Sequence, residues 1–591
     1  MKLENSPNIN YLWSGLIIEE LVRNNVVKFC IAPGSRSTPL TLSAAECEKA
    51  DKLVHFDERG LGFYALGVSS GGKGPAVLIS TSGTAVANFL PAVIEASKKK
   101  VPLILLTADR PPELRKTGAL QTIDQPGIFG KYVKWDFDLP VPDINIKPEM
   151  VLTTIDQAVF MATSSTPGPV HINCMFREPL APEKDEGKWK DKISDLNKWA
   201  EGSSPYTEYI KGKESLPAGD LREIEDIVKG SGDGLIVCGK LKPGDEDKVI
   251  ELAEKLKWPV FPDLTSGLRL RKDSSEIIHN FDQLLITDIL DNEKIETIIH
   301  IGGRITSKRY YQMVEKKRPL NYITVLDHPL RNDPLHIVTH RVKSGVSEFI
   351  DKLVPGVSVK KEGKLAEKLK TSSETIEEII EKFLGEEDLN EMFISREISK
   401  LIPDENALFL SNSMPVRDMD MYAEPMDKDL FVSGNRGASG IDGIIATACG
   451  YVDTLKKPGT LLIGDLAFLH DLNSLSLLNR IRKKLVIVVI NNDGGTIFSF
   501  LPVAEYRENF EEYFTTPHGM DFEHAAKQFK IKYSNATTKQ EFSDQYRSAL
   551  ENDQSSIIEA VVDMEGNIDS HKELQSIIKK ELNKINFIEG E

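Results

Sequence analysis

The chain has 591 residues, a net charge of −17 and 40% hydrophobic residues, enough for roughly three or four domains of ordinary size. The acidic balance and the lack of a basic stripe argue against nucleic-acid binding. No apolar run approaches the ~20 residues of a membrane helix, and the polar residues 1–10 lack the order of a signal peptide, so a cytoplasmic protein is expected.

Residues 11–24 have helical apolar spacing. Residues 27–32 read as a short strand leading into Pro33-Gly34-Ser35-Arg36-Ser37. A strand over 53–56 ends at Asp57-Glu58-Arg59-Gly60, and a helix follows from about 61 to 69. Strand 76–80, helix 84–98 and strand 103–107 come next, the last ending at Ala108-Asp109-Arg110-Pro111. A helix over 151–163 and a strand over 168–173 close the region. Strands alternating with helices of this length imply a parallel sheet covered on both faces.

The stretch 181–218 is charged and rich in Pro, Gly and Ser, as interdomain linkers are. Strands over 234–238, 258–261, 298–301 and 323–326, with a helix over 245–256, predict a second α/β unit ending near Leu353. The Lys/Glu-rich residues 360–382 read as a solvated connecting helix. The third region starts near Asn390. It predicts strand 407–410 before Ser411-Asn412-Ser413, strand 430–432 before Ser433-Gly434-Asn435-Arg436-Gly437, and helix 441–450. Strands 460–463 and 485–490 flank a helix over 471–484, and a strand over 557–562 precedes a terminal helix over 570–582. The expected partition is therefore 1–185, a linker 186–218, a central domain 219–355, a charged connector 356–389 and a last domain 390–591. The five cysteines (Cys30, Cys47, Cys174, Cys238 and Cys449) are scattered without a CxxC pair, so neither disulfides nor zinc are expected.

Asp465 follows one apolar strand and Asn492 the next. In a parallel sheet such loops emerge side by side at the edge where open α/β sheets bind ligands. A carboxylate, a side-chain amide and glycine carbonyls suit a hard cation, and Mg²⁺ typically binds through one or two carboxylates plus phosphates. The alternative is that Gly464-Asp465 and Asn491-Asn492 are ordinary turns, where Asp, Asn and Gly are common.

Six segments extend the pattern: APGSRSTPL at 32–40, HFDERG at 55–60, TADRPPEL at 107–114, QTIDQ at 121–125, SGNRGASGID at 433–442 and NNDGGTIF at 491–498. With them the chain resembles thiamine-diphosphate-dependent enzymes of the decarboxylase type. Within these it is most similar to the 2-succinyl-5-enolpyruvyl-6-hydroxy-3-cyclohexene-1-carboxylate synthases of menaquinone biosynthesis. The resemblance spans nearly the whole chain. It is weakest in the central block, where Lys308 in Thr306-Ser307-Lys308-Arg309 is the main anchor.

The resemblance implies three consecutive parallel-sheet α/β domains, with a pyrimidine-binding domain first and a diphosphate-binding domain last. It implies thiamine diphosphate as cofactor, with Mg²⁺ (or Mn²⁺) held by Asp465, Asn492 and the Gly494 carbonyl. Glu58 falls where the family bonds N1′ of the aminopyrimidine; alone, Asp57-Glu58-Arg59 would read as a polar helix start. Ile441 falls where the family places an apolar wedge under the cofactor, and equally reads as a core isoleucine in a helix. Asp493 stands where a neutral residue is expected, and His470 where a tyrosine is familiar.

The implied reaction is decarboxylation of 2-oxoglutarate and conjugate addition of the succinyl carbanion to isochorismate. Each substrate carries two carboxylates, and Arg–carboxylate pairs are strong and directional. The resemblance places Ser35, Arg36, Arg110, Gln121, Lys308, Ser413, Arg417, Arg436 and Phe498 around the substrates, and Ile497 beside the reacting atoms. It gives Glu58, Arg36, Gln121 and Arg436 catalytic roles. Any one arginine alone could be a surface ion pair. A homodimer or homotetramer with shared active sites is implied as well. The competing readings are another thiamine-dependent carboligase or 2-oxoacid decarboxylase, and a non-catalytic cofactor-binding protein.

Overall fold

Apolar runs rich in Val, Ile and Leu, several of them closed by Gly, Asp or Asn, form the central strands of three parallel sheets. The computed structural model describes residues 5–72, 74–210, 212 and 216–588. The outer ends of the first and last expected domains, and residues 211 and 213–215 of the expected linker, lie outside the described residues. The first sheet holds β1 (Lys28–Ile31), β2 (Asp51–Val54), β3 (Ala76–Ser80), β4 (Leu103–Asp109), β5 (Trp135–Leu139) and β6 (Pro169–Met175), ordered β2-β1-β3-β4-β6-β5. The second holds β7 (Gly234–Cys238), β8 (Val260–Pro262), β9 (Thr297–Ile301), β10 (Asn321–Leu326) and β11 (His340–Lys343), ordered β11-β10-β9-β7-β8. The third holds β12 (Ala407–Leu410), β13 (Phe431–Gly434), β14 (Gly459–Gly464), β15 (Leu485–Asn491), β16 (Lys532–Ala536) and β17 (Ser556–Val561), ordered β13-β12-β14-β15-β17-β16. Strands β3, β4, β6, β7, β9, β12 and β15 are buried at every position. Sheets covered on both faces require this.

Three strands escape sequence reading: β5 (Trp-Asp-Phe-Asp-Leu), β11 (His-Arg-Val-Lys) and β16 (Lys-Tyr-Ser-Asn-Ala). All three lie at sheet edges, where polar residues blunt unwanted pairing. Several helices also differ from expectation. The helix expected over 84–98 is broken into Thr84–Ala87 and Leu90–Lys99, the second opening with a proline in its first turn, as suits a ring that lacks an N–H. The helix expected over 471–484 is instead a helix Asp465–His470 and a 3₁₀ segment Leu472–Asn479. The helix expected from 441 begins only at Ile444, leaving Ile441 outside it and 39% exposed, so Ile441 is not a core residue.

The charged stretch expected as a solvated helix is the largest correction. Helix Lys364–Glu386 buries Leu365, Leu369, Ile376, Ile380 and Leu384 in a core shared with Leu574, Ile578 and Leu582 of the terminal helix Met564–Ile588. These residues recur at helical spacing and form one apolar stripe, which the abundance of Lys and Glu masks in the composition.

Two compact units partition the chain. One gathers residues up to 212 with 434–458 and 467–485; the other gathers 213–433, 459–466 and 486 onward. In the first, helix Glu58–Gly71 packs on helix Ile444–Leu455. A Cβ at Gly67 would stand 2.0 Å from the Thr447 carbonyl oxygen, and one at Gly450 would stand 2.1 Å from that of Tyr64. Glycine therefore sets the distance between the two helices. The Tyr64 hydroxyl donates to Asp453 across the pair at 2.9 Å.

Residues 199–207 are held to the same unit by two buried carboxyls, Glu20 and Asp156. Glu20 accepts from the Trp199 indole at 2.7 Å and from the Tyr206 amide, while Asp156 accepts from the Thr207 amide at 2.7 Å. Burial, followed by the adjoining Asp156, pushes Glu20 from its ordinary 4.5 up to about 8. The folded state thus holds a proton that the unfolded chain releases above pH 4.5, so this stabilisation is full below that pH and is lost as pH rises through about 8. The urea midpoint is expected to fall between pH 6 and pH 9. Glu20→Gln should flatten that slope; an equal slope in the variant would place its origin elsewhere.

Candidate active site

In the first unit Ser35 and Arg36 follow β1, Glu58 follows β2 and Arg110 follows β4, each at the C-terminal end of its strand, while Arg436 and Ile441 follow β13. The Arg36 guanidinium is buried; it donates to the Phe176 carbonyl at 3.0 Å, lies 3.2 Å from Glu178, and its Nε has no partner among the described residues. Arg110 follows β4 and donates to the Ser82 hydroxyl, to the Gln121 carbonyl at 3.3 Å and to its Oε1 at 3.2 Å. Burial, then the positive charge of Arg36, lowers the Arg110 pKa. The carboxylates of Asp109 and Glu178 oppose that lowering. Gln121 has φ +55 and is exposed. Ser35 is also exposed, its carbonyl accepting from the Thr38 amide at 3.1 Å.

Glu58 opens helix Glu58–Gly71, whose N-cap is Asp57: the Asp57 carboxylate accepts from the Arg59 and Gly60 amides at 3.0 and 3.2 Å. Capping is thus done by Asp57, and the half-buried Glu58 carboxylate has no polar partner among the described residues. His470 sits against Arg59, which donates to its carbonyl at 2.7 Å. The loop after Arg436 wraps a buried carboxylate that sequence reading missed. The amides of Gly437, Ala438 and Ser439 donate to Glu95 at 2.7, 2.6 and 3.3 Å.

In the second unit, β14 and β15 end at Asp465 and Asn492, and the side-by-side emergence expected of these loops is observed. Asp465 is 2% exposed. Its Oδ1 accepts from the Leu466 amide at 2.6 Å, and its Oδ2 from the amides of Asn492 at 3.2 Å and Gly494 at 2.9 Å. Burial raises its pKa, and the Gly494 and Leu466 amides oppose the rise. Gly494 has φ +137, and a Cβ there would stand 2.1 Å from the Thr515 carbonyl oxygen, so only glycine fits. Its own carbonyl accepts from the Thr496 amide at 3.1 Å, with a second lone pair remaining. Asn492 donates its side-chain N–H to Glu391 at 2.7 Å, and its buried Oδ1 has no partner among the described residues. A buried carboxylate and an orphaned amide oxygen on adjacent loops are a donor set that fits a hard cation.

Asp493 takes no part in that set: its carboxylate accepts from the His518 and Gly519 amides at 2.8 and 2.7 Å. The His518 ring, unsuspected from sequence, stands 3.3 Å from Asp465 and 3.6 Å from Asp493. Ile497 and Phe498 lie in the 3₁₀ segment Thr496–Phe500, with Phe498 edge-on to Phe514 at 5.8 Å. Ser413 has φ +71, opens helix Met414–Tyr422, and receives Arg417 on its carbonyl. Lys308 is exposed at the start of helix Lys308–Lys317, after Thr306 and Ser307, which are pinned by Asp263 and Asp282.

Comparison with known proteins matches this architecture domain by domain. The N-terminal TPP binding domain of thiamine pyrophosphate enzymes matches residues 14–128, the family described as the middle domain of thiamine pyrophosphate matches 189–410, and the C-terminal TPP binding domain matches 422–560. The chain is a thiamine-diphosphate-dependent enzyme with three parallel-sheet α/β domains. Proteins named 2-succinyl-5-enolpyruvyl-6-hydroxy-3-cyclohexene-1-carboxylate synthase align over nearly its full length. That of Rubrobacter xylanophilus is 44% identical over 97% of this chain and 99% of its own. Those of Salinibacter ruber and Prosthecochloris aestuarii are 42% and 40% identical, over 97% and 98% of this chain and 98% and 99% of their own. The chain belongs to this synthase family.

Proposed function

We propose that the enzyme decarboxylates 2-oxoglutarate and adds the succinyl unit to isochorismate, giving 2-succinyl-5-enolpyruvyl-6-hydroxy-3-cyclohexene-1-carboxylate for menaquinone biosynthesis in the cytoplasm. The carrying observation is the Arg36–Arg110–Gln121 cluster, a concentration of positive charge inside a protein of net charge −17. Thiamine diphosphate, when bound, supplies the electron sink for both carbon–carbon steps. Glu58 holds a proton against the pyrimidine N1′. Asp465, Asn492 and the Gly494 carbonyl hold Mg²⁺ or Mn²⁺, consistent with the orphaned Asn492 oxygen.

Arg36, Arg110, Gln121 and Arg436, with Ser35, Lys308, Ser413 and Arg417, bind and orient the four substrate carboxylates. Ile497 and Phe498 exclude water from the reacting carbons, and Ile441 supports the cofactor. Residues 1–185 act as the pyrimidine domain and 390–591 as the diphosphate domain, joined by 186–218, 219–355 and 356–389. The active form is a homodimer or homotetramer in which Glu58 and Asp465 of different copies serve one cofactor.

The test is an assay with thiamine diphosphate, Mg²⁺ and both substrates, following loss of isochorismate absorbance and identifying the product by mass. Consumption of 2-oxoglutarate without loss of isochorismate would overturn the acceptor, and no consumption of either would overturn the substrate pocket. Arg110→Met removes a charged hydrogen-bond donor, a loss of about 1.5–3 kcal/mol. We expect kcat/KM to fall about 10- to 150-fold for one substrate and less for the other, which also assigns the carboxylate it grips. Unchanged kcat/KM for both would remove Arg110 from the pocket.

A further inference from the structure

Behind Asn492 lies a buried polar network that joins distant parts of the chain. Glu391, 1% exposed, opens helix Glu391–Leu401. Its Oε1 accepts from Asn492 Nδ2 at 2.7 Å and from Asn567 Nδ2 at 3.0 Å. Its backbone amide donates to Asn567 Oδ1 at 3.0 Å, so Asn567 fixes both its main chain and its carboxyl. Asn567 is held in turn: its carbonyl lies 2.8 Å from His571 Nδ1, and His571 Nε2 lies 3.0 Å from the buried Asp418.

A side-chain amide has two faces, and only one orientation presents oxygen to a cation. A carboxyl oxygen already engaged by Asn567 accepts the Asn492 N–H and selects that orientation. The amide oxygen is thereby turned to the opposite side, where it is buried and has no partner among the described residues. Such an orphan costs about 1–3 kcal/mol unless something binds it. We propose that Glu391 is a positioning residue for the divalent metal, holding the Asn492 amide with its oxygen toward the ion. The inference rests on the proposed metal role of Asp465 and Asn492.

The test is Mn²⁺ binding by electron paramagnetic resonance on full-length protein with thiamine diphosphate, comparing wild type, Glu391→Leu, Glu391→Gln and Asp465→Asn. Glu391→Leu frees the amide and should weaken Mn²⁺ binding about 10- to 100-fold, the usual loss for an outer-shell partner. Glu391→Gln keeps an oxygen acceptor in place and should bind Mn²⁺ within about threefold of wild type, far inside that outer-shell loss. Unchanged affinity in Glu391→Leu, or an equal loss in Glu391→Gln, overturns the assignment. If Glu391→Leu does not fold, Asn567→Ala decides by the same criterion, because it keeps Glu391 but removes its clamp. Should wild type and Asp465→Asn bind Mn²⁺ alike, the metal reading itself fails, whereas a loss in Asp465→Asn beside unchanged Glu391→Leu sinks only the role of Glu391.

Discussion

Glu58→Gln is expected to lower turnover by about 10²- to 10⁴-fold, the range for removing a positioned acid–base group, while leaving cofactor affinity nearly intact. The local structure makes this a clean experiment. Asp57 caps helix Glu58–Gly71 by taking the Arg59 and Gly60 amides, so the helix start does not depend on Glu58. No described residue pairs with the Glu58 carboxylate, so glutamine breaks no internal hydrogen bond. What remains is loss of a negative charge near the helix N-terminus, at most about 2 kcal/mol at a partly buried site, which is too little to unfold the domain. Thermal stability and thiamine diphosphate titrations should therefore match wild type while product formation collapses. A variant that turns over at the wild-type rate would remove Glu58 from the chemistry.

The parts of the fold written in local pattern were legible in the sequence. Short β-branched runs bounded by turn residues, such as Leu485-Val486-Ile487-Val488-Val489-Ile490, read as buried strands, and the two loops that follow β14 and β15 fall where such strands end. Edge strands β11 and β16 were illegible because they are short and mostly polar, whereas β5, Trp-Asp-Phe-Asp-Leu, carries the two-residue alternation of a half-covered strand and was legible but passed over. The stripe of helix Lys364–Glu386 was hidden by the charges around it.

Within the candidate site the division is sharper. Asp465, Asn492 and Gly494 announce themselves by spacing, whereas the groups that hold them do not. Glu391, Asp418, Asn567 and His571 come from distant parts of the chain and meet only in three dimensions. Glu95 lies on helix Leu90–Lys99, where a glutamate reads as a solvated residue, yet it is 3% exposed and receives three loop amides. A residue whose partners are hundreds of positions away leaves no periodic trace in sequence.

Asp465→Asn is expected to weaken Mg²⁺ binding by at least about 100-fold, since outer-shell losses alone reach 10- to 100-fold and this change removes the charge of the ligand itself. The same carboxylate shapes its own loop, so the two effects must be separated. Its Oδ2 accepts two amides, from Asn492 and Gly494, and its Oδ1 accepts one, from Leu466. An asparagine there will keep its oxygen on the side with two donors and set its nitrogen against the Leu466 N–H. The Leu466 amide is left facing a second donor, a cost of about 1–3 kcal/mol, and the loop survives on the other two bonds. Asp465→Ala instead orphans all three amides and should lower the stability of the metal-free protein by several kcal/mol, at about 1–3 kcal/mol for each donor left buried. Paired measurements, urea denaturation without metal and calorimetric titration with it, distinguish the roles. The asparagine variant should lose at most about 3 kcal/mol in the first and fail in the second, and the alanine variant should fail in both. If asparagine at 465 binds Mg²⁺ with wild-type affinity, the carboxylate is there to build the loop and the cation is held elsewhere.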